Sequence, residues 1–322
     1  MWTNIHARVH QTLKDSCILP HKSNLLIAVS GGQDSLCLLK IMIDLQEKWG
    51  WNIAIAHCDH GWGSDLGIAD HVEKIANNWN IPFYLKVAKA MKETEAAARE
   101  WRYQSLVEIA EENDCREIVT GHTLSDRSET LLYNLIRGAG SNGLGALTWK
   151  RPLTNNINLV RPLLKVSRGE TLEFCQQFAL PIWEDAANAN LDYARNRIRQ
   201  ELVPYLKENF NPNVETTLSQ TSEVLKAESD YLEAEANKIL LSAVNDHNSK
   251  LNREVLKGVP LALQRRVIRQ FLAKIMVSKP NFEQIEETVN LIDAPRKSRT
   301  SSFPGKIMLE VEENYIVQKR TK

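Results

Sequence analysis

The sequence has no stretch approaching the roughly 20 apolar residues of a membrane span. Residues 1–20 hold no apolar run long enough for a signal peptide. Cysteine is scarce: Cys17, Cys37, Cys58, Cys115 and Cys175 are odd in number, scattered, and never spaced Cys-x-x-Cys. Several lie in apolar runs, which points to reduced core thiols rather than redox or metal chemistry, and to a cytosolic compartment. Net charge is also missing, since 40 Lys and Arg balance 40 Asp and Glu. Overall charge therefore gives no support for a nucleic-acid partner. No internal repeat or low-complexity segment is evident. What remains is ordinary globular composition, 43% hydrophobic and 25% charged over 322 residues, enough for one large domain or two.

The distribution of charge is uneven. Residues 213–247 carry seven acids and two bases, whereas 248–279 carry eight bases and only Glu254 as an acid. A second acid-free patch follows at Arg296, Lys297, Arg299 and Lys306. Such a stripe is either a solvated face or a surface for a phosphate backbone, with Arg265, Arg266 and Arg269 as its candidate contacts.

The first part alternates β-branched runs with helical periodicity. Strands are expected at 25–29, 53–57, 83–87 and 117–120, and helices at about 36–46, 67–79, 95–112 and 126–137. This alternation predicts an α/β domain with a parallel sheet covered on both faces, and a ligand beyond the carboxyl ends of the strands. A capping box at Ser167-Arg168-Gly169-Glu170 starts a further helix, to about 179. Near Pro212 the character changes, which divides the chain into domains 1–212 and 213–322. The second is expected to be smaller and mostly helical, with helices at about 214–244, 261–277 and 282–292. A final hairpin would pair 307–311 with 315–318.

Ser30-Gly31-Gly32-Gln33-Asp34-Ser35 lies between the first strand and its helix. The glycines let the backbone approach phosphates, the helix start directs N–H groups at an anion, and Ser30 and Ser35 add hydroxyls. Asp34 is placed to hold Mg²⁺. No Gly-Lys-Ser/Thr occurs, so this is no Walker loop. The segment resembles the loop of the PP-loop family, whose fold is adenine nucleotide alpha hydrolase-like. Its members cleave ATP between the α- and β-phosphates and leave AMP on the substrate.

Further segments resemble one branch of that family, the tRNA(Ile)-lysidine synthetases. They are Ala56-His57-Cys58-Asp59-His60-Gly61, Glu95-Ala96-Ala97-Ala98-Arg99-Glu100-Trp101-Arg102-Tyr103, the stretch 121–140, and Leu159-Val160-Arg161-Pro162-Leu163-Leu164. Glu184-Asp185, Asn188 and Arg195-Asn196-Arg197-Ile198-Arg199 complete the set. The resemblance runs in order over about 25–206 and is thinner beyond, though Phe303-Pro304-Gly305 is similar to the family's C-terminal domain. It implies ATP-dependent joining of free L-lysine to the cytidine at the first anticodon position of an isoleucine tRNA with a CAU anticodon. The chain departs from many relatives at Ser125, where they carry aspartate, and at Trp62-Gly63, where they carry Leu-Arg.

On the helix after Gly121-His122, Asp126, Glu129, Tyr133 and Arg137 share one stripe at 100° per residue, with two carboxylates near the mouth of the sheet. They either stabilise the helix dipole or bind an amine. The implied chemistry favours the second, because only about one lysine in 2,000 has a neutral ε-amine at pH 7. Asp34, Asp126, Glu129 and Arg99 are thus the catalytic candidates. Ser30 to Ser35, His57 and His122 are the candidates for ATP, His122 being either a phosphate ligand or a satisfied strand-end histidine. Arg99 and Arg102 contact ATP or RNA, or pair with Glu95 and Glu100. Arg137, Arg195, Asn196, Arg197 and Arg199 are candidates for tRNA, with Arg197 alternatively held by Glu184-Asp185. Ser125 is read as a helix N-cap, and Gly138, Gly140, Gly143 and Gly145 as a mobile loop or long turn.

Rival readings are a 2-thiolation enzyme, which would want the paired cysteines this chain lacks, and a non-catalytic tRNA-binding module, which would not need Asp34, Asp126 and Glu129. The oligomeric state is open, a homodimer being one option.

Overall fold

A computed structural model describes residues 1–62, 66–89, 94–145, 147–183, 190–244 and 250–320. It divides into two compact units, Met1–Lys226 and Ala227–Lys322. Packing thus divides the chain inside a long helix, beyond the turn at Pro212.

The first unit opens with a helix that periodicity did not suggest, α1 (Asn4–Ser16), capped by Thr3. Then come β1 (Asn24–Ala28), α2 (Gln33–Trp49), β2 (Asn52–Asp59), α3 (Ile68–Asn78), β3 (Phe83–Val87), α4 (Glu95–Glu112), β4 (Glu117–Thr120) and α5 (Leu124–Ile136). After them stand α6 (Ser141–Leu144), β5 (Lys150–Pro152), β6 (Asn158–Val160) and α7 (Arg168–Gln177). The glycine-rich stretch expected as a loop therefore holds one helical turn, α6, with Gly140 as its N-cap. The unit continues with α8 (Ala194–Arg197), a π-helical turn (Ile198–Leu202), α9 (Val203–Asn209) and the start of α10 (Val214–Ala243).

The strands lie in the order β3-β2-β1-β4-β6-β5. All neighbours are parallel except the edge pair β5–β6, which is antiparallel. Leu25, Leu26 and Ile27 on β1 are wholly buried. Leu25 and Ile27 join the core built on α1, α2, α3 and α7, while Leu26 joins the core beneath α4. That alternation buries both faces, as a parallel sheet requires, at about 1.5–3 kcal/mol per large side chain. From β1 the chain steps to β2 and β3 on one side and later to β4 on the other. A crevice must open between the carboxyl ends of β1 and β4, where the connections diverge.

The second unit contains the end of α10, β7 (Lys250–Asn252), α11 (Leu261–Ile275), α12 (Phe282–Asn290), β8 (Ile307–Glu312) and β9 (Tyr315–Arg320). The expected hairpin forms with Glu312 opposite Tyr315, and β7 extends it into a three-stranded antiparallel sheet in the order β7-β9-β8. Leu240, Leu251, Val267, Phe271, Leu309 and Ile316 make its core.

Candidate active site

The phosphate loop leaves β1 at the crevice. Gly31 has φ +83°, a left-handed conformation that glycine adopts without strain, and a Cβ there would stand 3.3 Å from Cβ of Trp183. Ser35 Oγ donates to the Gly32 carbonyl at 2.8 Å and accepts from the Ser30 amide at 3.2 Å, so the hydroxyls close the loop on itself. Gln33 is turned elsewhere. Its side chain donates to the Arg168 carbonyl at 2.7 Å and to Thr171 Oγ1 at 3.0 Å, latching the loop to the start of α7. Its contribution to an anion is then its backbone amide at the N-terminus of α2.

Asp34 accepts a hydrogen bond from Thr171 Oγ1 and lies 3.6 Å from Arg168 Nη1. Burial pushes its carboxyl above the usual range, against the pull of Arg168. Neither Arg168 nor Thr171 was singled out in the sequence. The Ser167 capping box, which the structure confirms as the start of α7, was the available signal that this helix begins at a site. On the other wall Gly121 follows β4, where a Cβ would fall 2.8 Å from the Asp34 carbonyl oxygen. Only a bare α-carbon lets the end of β4 approach the first turn of α2 so closely.

His57 is buried, and its Nδ1 donates to the Val29 carbonyl at 2.7 Å, which steadies the backbone entering the loop. His122 Nδ1 lies 2.9 Å from Thr120 Oγ1. Burial holds this histidine down to about 3, with Arg161, Arg99 and Arg102 acting the same way and Asp126 opposing. It is neutral at pH 7.

The N-cap of α5 is Thr123, two residues before Ser125. The correction has a physical reason: Asp126 at the third helical position completes a capping box, accepting from the Thr123 amide at 2.7 Å and the Thr123 hydroxyl at 2.9 Å. The helix-stabilising role weighed for Asp126 is therefore real, but it uses one carboxylate oxygen. The other accepts from Arg199 Nη2 at 3.3 Å. One turn on, Glu129 is 3% exposed and takes a two-pronged bond from Arg199, Nε to Oε1 at 2.7 Å and Nη2 to Oε2 at 2.8 Å. Burial would raise Asp126, but His122, the Thr123 bonds and Arg199 hold it low; in Glu129 burial prevails and the carboxyl is raised. Arg199 sits in the π-helical turn, a local irregularity common at working sites. The two carboxylates of the predicted stripe thus converge on one guanidinium, while Tyr133 and Arg137 pair with each other.

The other arginines divide. Arg137 and Arg195 lie over the Tyr133 ring, 5.1 and 5.7 Å from its centroid. Tyr133 and Arg137, with Ile136, Arg197, Leu202 and Tyr205, border a cleft of about 770 Å³. Arg197 donates to the Leu191 and Asp192 carbonyls and Asn196 to the Asn190 carbonyl, so both organise the preceding turn. Glu184, Asp185, Asn188, Gly63 and the Glu95 side chain lie outside the described residues. In the second unit Arg265 is paired twice with Glu286, both at 2.7 Å, while Arg266 and Arg269 share Glu233.

Cys37, Cys115 and Cys175 are buried, Cys58 is half-buried and Cys17 exposed, all as free thiols. Burial pushes Cys37 and Cys175, behind the phosphate loop, upward, Cys175 to about 12. These are packing thiols. No described helix is long and apolar enough to cross a membrane.

Known proteins resemble this chain along nearly its whole length. Residues 1–206 match the PP-loop domain family and residues 251–307 the TilS substrate binding domain. The tRNA(Ile)-lysidine synthase of Nostoc sp. is 52% identical, over 98% of this chain and 97% of that protein. The synthase of Synechocystis sp. is 49% identical over 98% and 97%. The chloroplastic one of Zygnema circumcarinatum is 35% identical over 94% and 87%. Among solved structures, the U34-tRNA thiolase NcsA of Methanococcus maripaludis superposes with a TM-score of 0.59 at 17% identity, over 69% of this chain and 78% of that one. At that identity the likeness is one of fold.

Proposed function

The chain belongs to the tRNA(Ile)-lysidine synthase family, and from that premise we propose how its residues divide the reaction. The cytosine carbonyl oxygen at the first anticodon position attacks the α-phosphorus of ATP, and pyrophosphate leaves. The ε-amine of lysine then attacks the activated ring carbon, gives up a proton, and AMP departs as lysidine forms.

In the first step the amides of residues 31–33 cradle the leaving phosphates, and the hydroxyls of Ser30 and Ser35 hold the loop in shape. Mg²⁺ usually keeps one or two carboxylates beside substrate phosphates, and Asp34 at the helix start fits that donor set. The ion would be held by Asp34 together with the phosphates, and it would neutralise their charge.

One observation carries the second step: Asp126 and Glu129 converge on a single cation, the Arg199 guanidinium, at the mouth of the crevice. A site that holds one cation with two carboxylates is suited to the ammonium of lysine, which would compete with Arg199 for the same oxygens. Glu129, with its raised carboxyl, is the better proton acceptor. Asp126, fixed by Thr123, orients the amine. The cleft beside Tyr133, one turn further along α5, offers an aromatic and cationic wall to an unstacked anticodon base. We infer that the reaction runs in the cytoplasm, where a tRNA substrate would be available.

Incubation with ATP, lysine and a CAU-anticodon isoleucine tRNA, followed by nucleoside mass analysis, should reveal lysidine. Unchanged cytidine with a folded, ATP-binding protein would sink the reading. In Glu129→Gln, pyrophosphate release should persist while lysine transfer falls by about 10²–10⁴; equal loss of both steps would remove Glu129 from the lysine site.

A further inference from the structure

Three arginines of the first unit, Arg99, Arg151 and Arg161, gather around Tyr103, and Arg102 joins Arg99 and Arg161 in acting on nearby His122. Arg99 lies on the same helix, with its guanidinium carbon 5.4 Å from the ring centroid. Arg151 reaches the ring from β5, at 4.9 Å. Arg161, just beyond β6, is 1% exposed; one of its terminal nitrogens donates to the Thr148 carbonyl at 2.7 Å. Its Nε, also buried, has no hydrogen-bond partner among the described residues. Arg102, next to Tyr103, has Nη2 at 3.1 Å from Nε2 of His60. No described carboxylate lies within ion-pair distance of any of the four.

The surroundings feel this charge. Burial would raise the Tyr103 phenol, yet Arg99, Arg161 and Arg151 together hold it below the usual tyrosine range. His122 lies in the field of Arg161, Arg99 and Arg102, with Asp126 also acting on it. Four like charges brought together in part-buried surroundings repel one another and cost desolvation. An anion seated among them would relieve both penalties. Guanidiniums match the oxygens of a phosphate by shape as well as charge.

We propose that Arg99, Arg102, Arg151 and Arg161 form a seat for one phosphate group, supplied by the RNA backbone beside the nucleotide being modified. The phosphate loop stands on β1 and has its own donors. Arg151 and Arg161 come from β5 and β6, which lie beyond β4 from it. A phosphate on that side therefore belongs to a chain other than the nucleotide. This assignment rests on the reading of the protein as a tRNA-modifying enzyme, but its test needs no turnover.

An RNA stem–loop carrying the CAU anticodon is titrated by fluorescence anisotropy, and ATP alone by calorimetry. Arg151→Gln should weaken the stem–loop about tenfold, lower the salt slope by about one, and leave ATP binding unchanged. A methylphosphonate placed in turn at each phosphate flanking the target cytidine should weaken the wild type about tenfold at one position. At that position it should cost Arg151→Gln clearly less than it costs the wild type. Arg161→Lys, which keeps a charge in the buried place, checks the result if a neutral residue there fails to fold. Weaker ATP binding with unchanged RNA binding would reassign the seat to the nucleotide and overturn the proposal. Folded variants that bind both ligands normally, or no neutral phosphate that couples to Arg151, would overturn it as well. Either result is independent of whether lysidine is formed.

Discussion

The arginines of the second unit are dense in sequence and paired in space, whereas those around Tyr103 are dispersed in sequence and gathered in space with no carboxylate among the described residues. Arg265 has Glu286 and Arg269 has Glu233; Arg99, Arg151 and Arg161 have a tyrosine ring and a backbone carbonyl. A basic run in a sequence counts charge; it does not count the charge left available to a ligand. The acid-rich stretch before residue 248 answers Arg266 and Arg269 of the basic run after it, through Glu233 on α10. Among the described residues, Arg99, Arg102 and Arg161 have no such answer.

Arg199 is the sharpest instance of a paired arginine, and its loss should have the largest effect. Arg199→Ala leaves Glu129 buried and unpaired, which costs about 3 kcal/mol. In a unit of this size that lowers Tm by roughly 10 °C. An unchanged melting curve would mean that the carboxylates do not depend on that guanidinium.

A smaller effect tests the second unit. Arg265→Ala should change tRNA affinity by less than about threefold, because its guanidinium is already engaged by Glu286. Glu286→Gln, which releases Arg265, should tighten binding by about threefold and steepen the salt dependence. A tenfold loss in Arg265→Ala would erase the contrast between the two groups of arginines.

The smallest effect concerns a carboxylate whose guanidinium stands off. Arg168 at 3.6 Å does not offset the burial of Asp34, whose carboxyl is raised. A raised carboxyl means that the native state holds its proton more tightly than the unfolded chain, so stability falls as pH rises from about 4 through the raised value. Asp34→Asn removes that penalty. Its Tm should exceed the wild type's by a few degrees at pH 8, and the gap should close near pH 4. A gap independent of pH would show that the charge is not what is being relieved.

Much of the fold could be read from spacing alone. Alternation gave β1 to β4 with their helices, and the hairpin signal around Glu313-Asn314 gave the terminal strands. The phosphate loop was legible because its chemistry lies in six consecutive residues. Three-residue strands such as β5 and β6 carry too little pattern to be seen, so the antiparallel edge was missed. Pairings across the chain were out of reach for a different reason. Arg199 meets Glu129 seventy residues away, and Thr171 meets Asp34 at a separation of 137. Periodicity ranks positions on one helix, and it says nothing of which other helix they will face. Even locally, Thr123 and Ser125 are equally good caps by residue type, and the bond from Thr123 to Asp126 decides between them.

Gly121 carries a consequence for how the enzyme can vary. Its missing side chain sets the distance between the end of β4 and the backbone of Asp34, so one hydrogen atom there fixes a tolerance for the whole nucleotide loop. A methyl group at that position would have to displace main chain, since no flexible side chain stands in its way. Selection at position 121 is therefore blind to charge and polarity and acts on size alone, although no atom of its side chain could ever touch a substrate.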